Sequence, residues 1–368
     1  MANILLLTHI QPPAVDGGSR VIVKMGENLK KLGHKTLLIS SNARSTDDFV
    51  KTNNKNNKNG LPYYTIFHKP LKLLSKIFPI FSVFAKGPIF KFIPFIQLLV
   101  TCYQFHPDII IAGPLPTTIV LYAKFIQYLT SVLAFQRTKL VINASYHKTD
   151  KDFQNKLLKN TLKSADFIWT LTDTETKLFK NSLLLGNGVD KSLLKKSPKT
   201  FPTNPTLLYI GALAQHKNIE KLIETHQSLL PKFPKLKLII AGQKTLYFPK
   251  LKNLLKQPNI KTIFSFKSSA LANLIDKSTV LVSPSRQESF GLTLIEAWAR
   301  KTPVVGLNIP STRELITDSG GGLMGLQNNE TLLNDQTLCQ KLGQNGYNYV
   351  KKNYLWPDIA KKLCQKLL

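Results

Sequence analysis

The sequence predicts an α/β protein of two halves, each with a mostly parallel sheet wrapped by helices. Three observations predict it. Short apolar runs of strand length alternate with longer amphipathic runs along most of the chain. The opening has the form of a nucleotide-type βαβ unit: strand 3–10, a Gly17-Gly18 loop, helix 20–32 ended by Gly33, and strand 35–41. A second βαβ unit follows far down the chain, with strand 280–282, helix 291–300 and strand 303–305.

The 368 residues suffice for two domains, and a hydrophobic content of 43% is that of a globular chain. Fifty Lys and Arg face 21 Asp and Glu, a formal charge of +29. That balance favours anionic partners: nucleic acid, anionic lipid or a phosphorylated substrate. The lysines are spread along the chain, and Asn is also abundant, so a compositional habit accounts for part of it. Cys102, Cys339 and Cys364 are an odd count without metal-ligand spacing, which fits a reducing cytoplasm. The opening lacks the basic region of a signal peptide, and no run reaches the ~18 apolar residues of a membrane span.

In the first half, Gly17-Gly18 lacks a dinucleotide fingerprint, so a nicotinamide cofactor is disfavoured; a plain turn is the rival reading. Residues 51–60 (KTNNKNNKNG) read as an exposed loop and 61–67 as a strand. From 69 to 100, Lys72, Lys76, Lys86 and Lys91 interleave with phenylalanines, and Pro79, Pro88 and Pro94 cut the run into pieces. Two readings stand: a segment lying in a membrane interface, and a pair of core helices under the sheet. Strands follow at 107–113 and 139–146. His147 lies just past the second, where ligands gather in open α/β sheets; a plain surface histidine is the rival reading. Asp150-Lys151-Asp152 has metal-pair spacing, but its place at the start of a polar helix fits capping carboxylates. Short strands at 167–172 and 183–185 lead to a turn, Gly186-Asn187-Gly188. Residues 191–204, rich in Lys, Pro and Ser, read as an interdomain linker.

The second half has strands at 207–212, 235–242 and 260–266 and helices at 219–230 and 269–276. Residues 338–368 are helical and basic, with a break at Trp356-Pro357. The centre of this half is 283–306. Glu288 stands just before a helix and Glu296 inside it, with seven residues between them. Glu296 has almost wholly apolar neighbours, so it is expected to be buried and to need a partner; Arg300, at i+4, is the basic residue in reach. Ser289 is placed to cap the helix, and Gly291 lets a ligand approach its free N–H groups. Phosphate donors thus stand beside two hydroxyl acceptors, a combination that suits a sugar nucleotide. The rival reading makes Glu288 a solvated loop acid and Glu296 the ion-pair partner of Arg300.

Ser285-x-x-Glu288-Ser289-Phe290-Gly291-x-x-x-x-Glu296-Ala297, followed by Thr302-Pro303-Val304-Val305, resembles the signature of the retaining glycosyltransferases of family 4 (glycosyl transferases group 1), which have the GT-B fold. Asn187-Gly188-Val189-Asp190, residues 311–315 (STREL) and residues 319–323 (SGGGL) resemble further family segments. Gly211-Ala212-Leu213 with Lys217-Asn218 resembles a Gly-Arg-Leu…Lys-Gly motif, with Ala212 where an Arg often stands. His216 and Arg286 are the candidates to replace that cation.

The resemblance implies two Rossmann-like domains facing a central cleft. They would be 1–190, with 355–368 packing back on it, and 205–354, joined by the linker 191–204. It implies transfer of a hexose from a nucleotide-diphosphate sugar to a hydroxyl acceptor with retention, in cell-surface polysaccharide or glycolipid synthesis. Glu288 would contact the sugar, Glu296 the ribose, and Lys217 the diphosphate. Glu288, Lys217 and His147 are the catalytic candidates. Gly17, Gly18, Gly211, Lys217, Arg286, Ser289, Phe290, Gly291, Leu292 and Glu296 are the donor-binding ones. No metal or cofactor is expected. The implied acceptor is a lipid-linked sugar, and the implied place is the cytoplasm, peripheral on the inner face of an anionic membrane. The missing Arg keeps a second reading open: a non-catalytic sugar-nucleotide-binding protein of the same fold. Specific nucleic-acid binding is disfavoured, because no helix-turn-helix, zinc or RNA motif is present.

Overall fold

The computed structural model describes residues 1–10, 17–41, 92–133, 137–145, 155–264 and 270–368. The expected loop 51–60, strand 61–67 and most of 69–100 lie outside these residues, as do His147 and the Asp150–Asp152 pair. The chain divides into two compact units, Met1–Gly186 with Trp356–Leu368, and Asn187–Leu355.

The first unit contains β1 (Asn3–Thr8), α1 (Gly17–Lys31), β2 (Lys35–Ser40), α2 (Phe92–Phe105), β3 (Ile109–Ala112), α3 (Thr118–Leu133), β4 (Lys139–Asn143), α4 (Lys156–Ser164), β5 (Phe167–Thr170), α5 (Asp173–Thr176) and β6 (Ser182–Leu184). Its sheet runs β2-β1-β3-β4-β5-β6, and every neighbouring pair is parallel. Parallel strands need helices on both faces, which is why β1, β3 and β4 are almost wholly apolar and buried. Gly17 and Gly18 are the first residues of α1, and a Cβ on Gly18 would meet Pro114 Cγ at 2.5 Å. Asn155 caps α4, its Oδ1 accepting from the Leu157 N–H at 2.9 Å.

The second unit contains β7 (Thr206–Ile210), α6 (Ile219–Leu229), β8 (Lys237–Ala241), α7 (Phe248–Leu251), β9 (Ile260–Ile263), α8 (Leu271–Asp276), β10 (Val280–Ser283), α9 (Leu292–Ala299), β11 (Val304–Gly306), α10 (Pro310–Ser319), β12 (Gly322–Met324), α11 (Asn328–Asn334) and α12 (Gln336–Asn353). The sheet order is β12-β11-β10-β7-β8-β9, again parallel throughout. The last helix, α13 (Trp356–Leu367), packs on α1 of the first unit. Its Trp356 meets Trp169 edge-on at 6.4 Å.

Among the described residues the expected strands are present, and most overrun the observed ones by one to three residues, as at 139–146, where β4 ends at Asn143; the expected strand 280–282 instead stops one residue short of the end of β10. The apolar signal continues into loops whose side chains are also buried, such as Ala144. Residues 191–204, read as a linker, lie within the second unit. Two lysines of that stretch are buried there: Lys199 donates to the Ile275 and Asp276 carbonyls at 2.8 and 3.0 Å, and Lys195 pairs with Asp276 at 3.3 Å. Lysines used as tethers look, in sequence, like lysines used for solubility.

Candidate functional site

In the second sheet, the chain moves from β7 outward through β8 and β9, then returns to place β10 on the other side of β7. The β7/β10 border is therefore a topological switch point, where the loops beyond the carboxyl ends diverge and leave a crevice. The candidate site is built from those two loops.

The loop after β7 is shaped by close approach. A Cβ on Gly211 would stand 2.6 Å from the Tyr209 hydroxyl, which donates to the Ala212 carbonyl at 2.9 Å. Residues 215–217 form one 3₁₀ turn, and Asn218, at φ 54°, opens α6. Asn218 also donates to the Pro284 carbonyl at 3.1 Å, and the Arg286 N–H donates to the His216 carbonyl at 2.9 Å. These two bonds bind the loops together.

Across this junction the Lys217 ammonium forms an ion pair with the Glu288 carboxylate. Both side chains are less than one-fifth exposed. Burial acts to raise the Glu288 carboxyl, but Lys217, the Ser285 hydroxyl and His216 outweigh it and hold it below its usual value. The Tyr209 phenol is raised, by burial first and by the Glu288 charge second. Glu288 is thus a paired, ionised group, and the solvated-acid reading falls. Ser311 Oγ fixes its backbone by donating to the Glu288 carbonyl at 2.9 Å.

Gly291, at φ 109° and ψ 54°, is the N-cap of α9, and no side chain caps the helix. The expected capping role of Ser289 is therefore corrected: the helix begins at Leu292, and a left-handed glycine turns the chain into it. α9 is held from below. Trp298 Nε1 donates to the Gly321 carbonyl at 2.7 Å, and a Cβ on Gly346 of α12 would meet the indole at 2.3 Å. The Phe290 ring is buried and meets Tyr354 edge-on at 5.3 Å. Its backbone, not its ring, is what a ligand can reach.

Glu296 lies one turn into α9 and is buried. Arg300, its expected structural partner, is engaged elsewhere: its guanidinium grips Asp276 through two nitrogens and donates to the Leu193 carbonyl at 3.1 Å. Arg286 is exposed, as is His216. Ala212 and Leu292 are half-buried beside the loops. Gly17 and Gly18 occupy the equivalent place in the first unit, after β1 and beside the 113–117 loop that follows β3, the switch point of that sheet. Sequence reasoning missed Tyr209 and gave Ser285 no role. Ser285 lay inside the recognised motif; Tyr209 reads only as an apolar strand residue. Among the described residues, no group of three His, Cys, Asp or Glu is placed to hold a metal ion.

The architecture is GT-B: two six-stranded parallel α/β units. It superposes on Anabaena HepE, solved in complex with UDP and glucose, with a TM-score of 0.71, 15% identity and coverage of 100% of this chain and 99% of that one. Residues 190–349 match the family described as Glycosyl transferases group 1. An uncharacterized glycosyltransferase of Methanocaldococcus jannaschii is 27% identical over 218 residues, which are 53% of this chain and 60% of that protein. The capsular polysaccharide biosynthesis glycosyltransferase CapM of Staphylococcus aureus is 23% identical over 186 residues, 46% of this chain and 48% of CapM.

Proposed function

We propose that this protein is a retaining glycosyltransferase that moves a hexose from a nucleotide-diphosphate sugar to a hydroxyl acceptor. The observation that carries this reading is the Lys217–Glu288 pair at the switch point, set beside the uncapped N-terminus of α9. The match of residues 190–349 to Glycosyl transferases group 1 supports it. Lys217 has three N–H donors, of which Glu288 takes one; the others suit diphosphate oxygens. The free amides at the start of α9 add positive potential where charge grows on the leaving diphosphate. On this reading Glu288 holds the sugar, Glu296 accepts from the ribose hydroxyls, and Gly17, Gly18, Gly211, Ser289 and Leu292 border the donor. Arg286 or His216 replaces the cation absent at Ala212. A donor phosphate oxygen takes the acceptor proton, and neither metal nor cofactor is used. His147, outside the described residues, keeps the catalytic role that the resemblance implies. The acceptor is a lipid-linked sugar in polysaccharide or glycolipid synthesis, met by a cytoplasmic enzyme peripheral on the inner membrane face. The capsular polysaccharide biosynthesis of CapM is in keeping with this.

The test is a thermal-shift screen with UDP-, GDP- and ADP-sugars. One of them is expected to stabilise the protein, by ~2.7 kcal/mol at about 100 times its dissociation constant. Glu296→Gln is expected to weaken that shift. No shift with any of the three would remove the donor reading. Donor turnover with and without acceptor then separates the enzyme from a non-catalytic sensor.

A further inference from the structure

Helices α2 and α3 pack side by side, with Phe95 6.0 Å from Phe125 and 5.8 Å from Tyr122. Each sends one stripe into the core of the first unit: Leu98 and Cys102 from α2, and Ile119, Ala123 and Ile126 from α3. The opposite stripes of a helix at this depth are ordinarily polar. Here they are not. Ile96, Val100 and Tyr103 on α2 and Phe125, Tyr128 and Val132 on α3 are 42–63% exposed. At 3.6 residues per turn each triplet falls within an arc of about 60°. Outside these two helices, only Met1, Leu178, Leu246 and Leu368 are comparably exposed apolar residues among those described. α2 carries no charged residue and α3 only Lys124. A groove lined by Leu99, Val100, Tyr103, Ile126 and Leu129 runs between them.

We infer that the outward face of α2 and α3 is a docking surface for an anionic lipid bilayer. This rests on the peripheral-membrane reading given above and names the surface that makes the contact. A contiguous apolar face marks an interaction site. Charge selects the partner. The sequence from 49 to 149, in which both helices lie, holds one acidic residue, Asp108, against twelve basic ones. Asp108, between α2 and β3, is engaged in the fold, accepting from the Asn3 N–H at 2.7 Å. An apolar face borne by so basic a stretch of sequence suits the boundary between acyl chains and anionic headgroups. Tyr103 and Tyr128 supply rings with polar tips, the side chains that settle at that depth. A second copy of the chain fits worse, since a two-fold contact would press two strongly basic stretches together.

The experiment is cosedimentation of the full chain with phosphatidylglycerol/phosphatidylcholine vesicles, at low salt and at ~0.5 M salt, where exposed charges are largely screened. The wild type is expected to bind at low salt and to retain part of its binding at high salt. The Ile96→Gln/Val100→Gln/Val132→Gln variant is expected to bind at least ~10-fold more weakly at high salt, with an unchanged melting temperature. Equal binding by the two proteins overturns the face while leaving peripheral attachment standing. A wild type that binds no vesicle overturns both. A wild-type dimer that the variant converts to monomer, with vesicle binding unchanged, assigns the face to a second copy. A variant that melts several degrees lower and binds vesicles as before assigns it to the chain's own residues. The sugar-nucleotide thermal shift is read on the same samples, so failure of the donor reading shows separately.

Discussion

Glu288 and Lys217 each keep the other charged in a place where burial would neutralise a lone carboxyl. Because the carboxyl is held below its usual 4.5, the pair stabilises the fold fully above that value. That contribution is lost as the pH falls through the lowered value. Glu288→Gln keeps the shape and removes the charge. Sugar transfer is expected to fall ~10²-fold or more, while binding of the free nucleotide diphosphate is kept or tightened, since the Lys217 charge is then no longer neutralised by a carboxylate. Equal losses in transfer and nucleotide binding would make Glu288 a scaffold for Lys217 and not a sugar contact. Each residue was legible in sequence from the motif around it, Glu288 as a sugar contact and Lys217 as a diphosphate contact; that the two pair with each other was not. The Ser289 cap was misread for a physical reason: a hydroxyl before a helix and a left-handed glycine both begin helices, and Gly291 does so here. Tyr209 was not legible, since its hydroxyl matters only once Gly211 has folded back on it.

At the scale of elements, the strands were readable as short continuous apolar runs and the amphipathic helices by the period of their burial. α3 was not foreseen, as it is apolar on both faces and shows no polar phase to detect. Of the 69–100 segment, the described part of α2 puts Leu98 in the core, as the core-helix reading expects, and leaves Ile96 and Val100 exposed. The tether at the end of α8 was hidden in the supposed linker. Lys199 caps that end through the Ile275 and Asp276 carbonyls and the Thr302 hydroxyl, the last at 2.8 Å. Burial, only partly opposed by Asp276, brings its ammonium down from 10.5 to about 7. Between those values the unfolded chain binds a proton that the folded chain does not. Stability therefore rises with pH over that window and is insensitive to this group below it. Measured by urea unfolding, the wild type is expected to gain on Lys199→Met between pH 7 and pH 9, by up to ~1.4 kcal/mol per pH unit. A pH-independent difference would mean that the three acceptors keep the ammonium charged throughout.

At the scale of the molecule, two parallel sheets follow from two βαβ beginnings, and that much was written in the sequence. The path of the chain, which leaves the second unit at Leu355 and gives its last helix to the first, was implied by the family resemblance and not by the pattern of the residues. Trp356, Ile359, Ala360, Leu363 and Leu367 are the buried face of α13, and the Lys139 ammonium holds the Leu367 carbonyl. The basic, polar face of the same helix is what dominates a reading of 338–368. Burying those five side chains contributes on the order of 5–10 kcal/mol, as large as the whole net stability of an ordinary domain. Truncation after Leu355 is thus expected to unfold the first unit while sparing the second. Calorimetry would show the first unit's transition lost or shifted far down, and a second transition still raised by the sugar nucleotide that stabilises the intact chain. The physical reason is that no residue of α13 belongs to the core around β7 and β10, whose packing comes from α6, α9 and α12. A single transition, lowered as one and no longer answering to the nucleotide, would show that the second unit depends on the first for its fold.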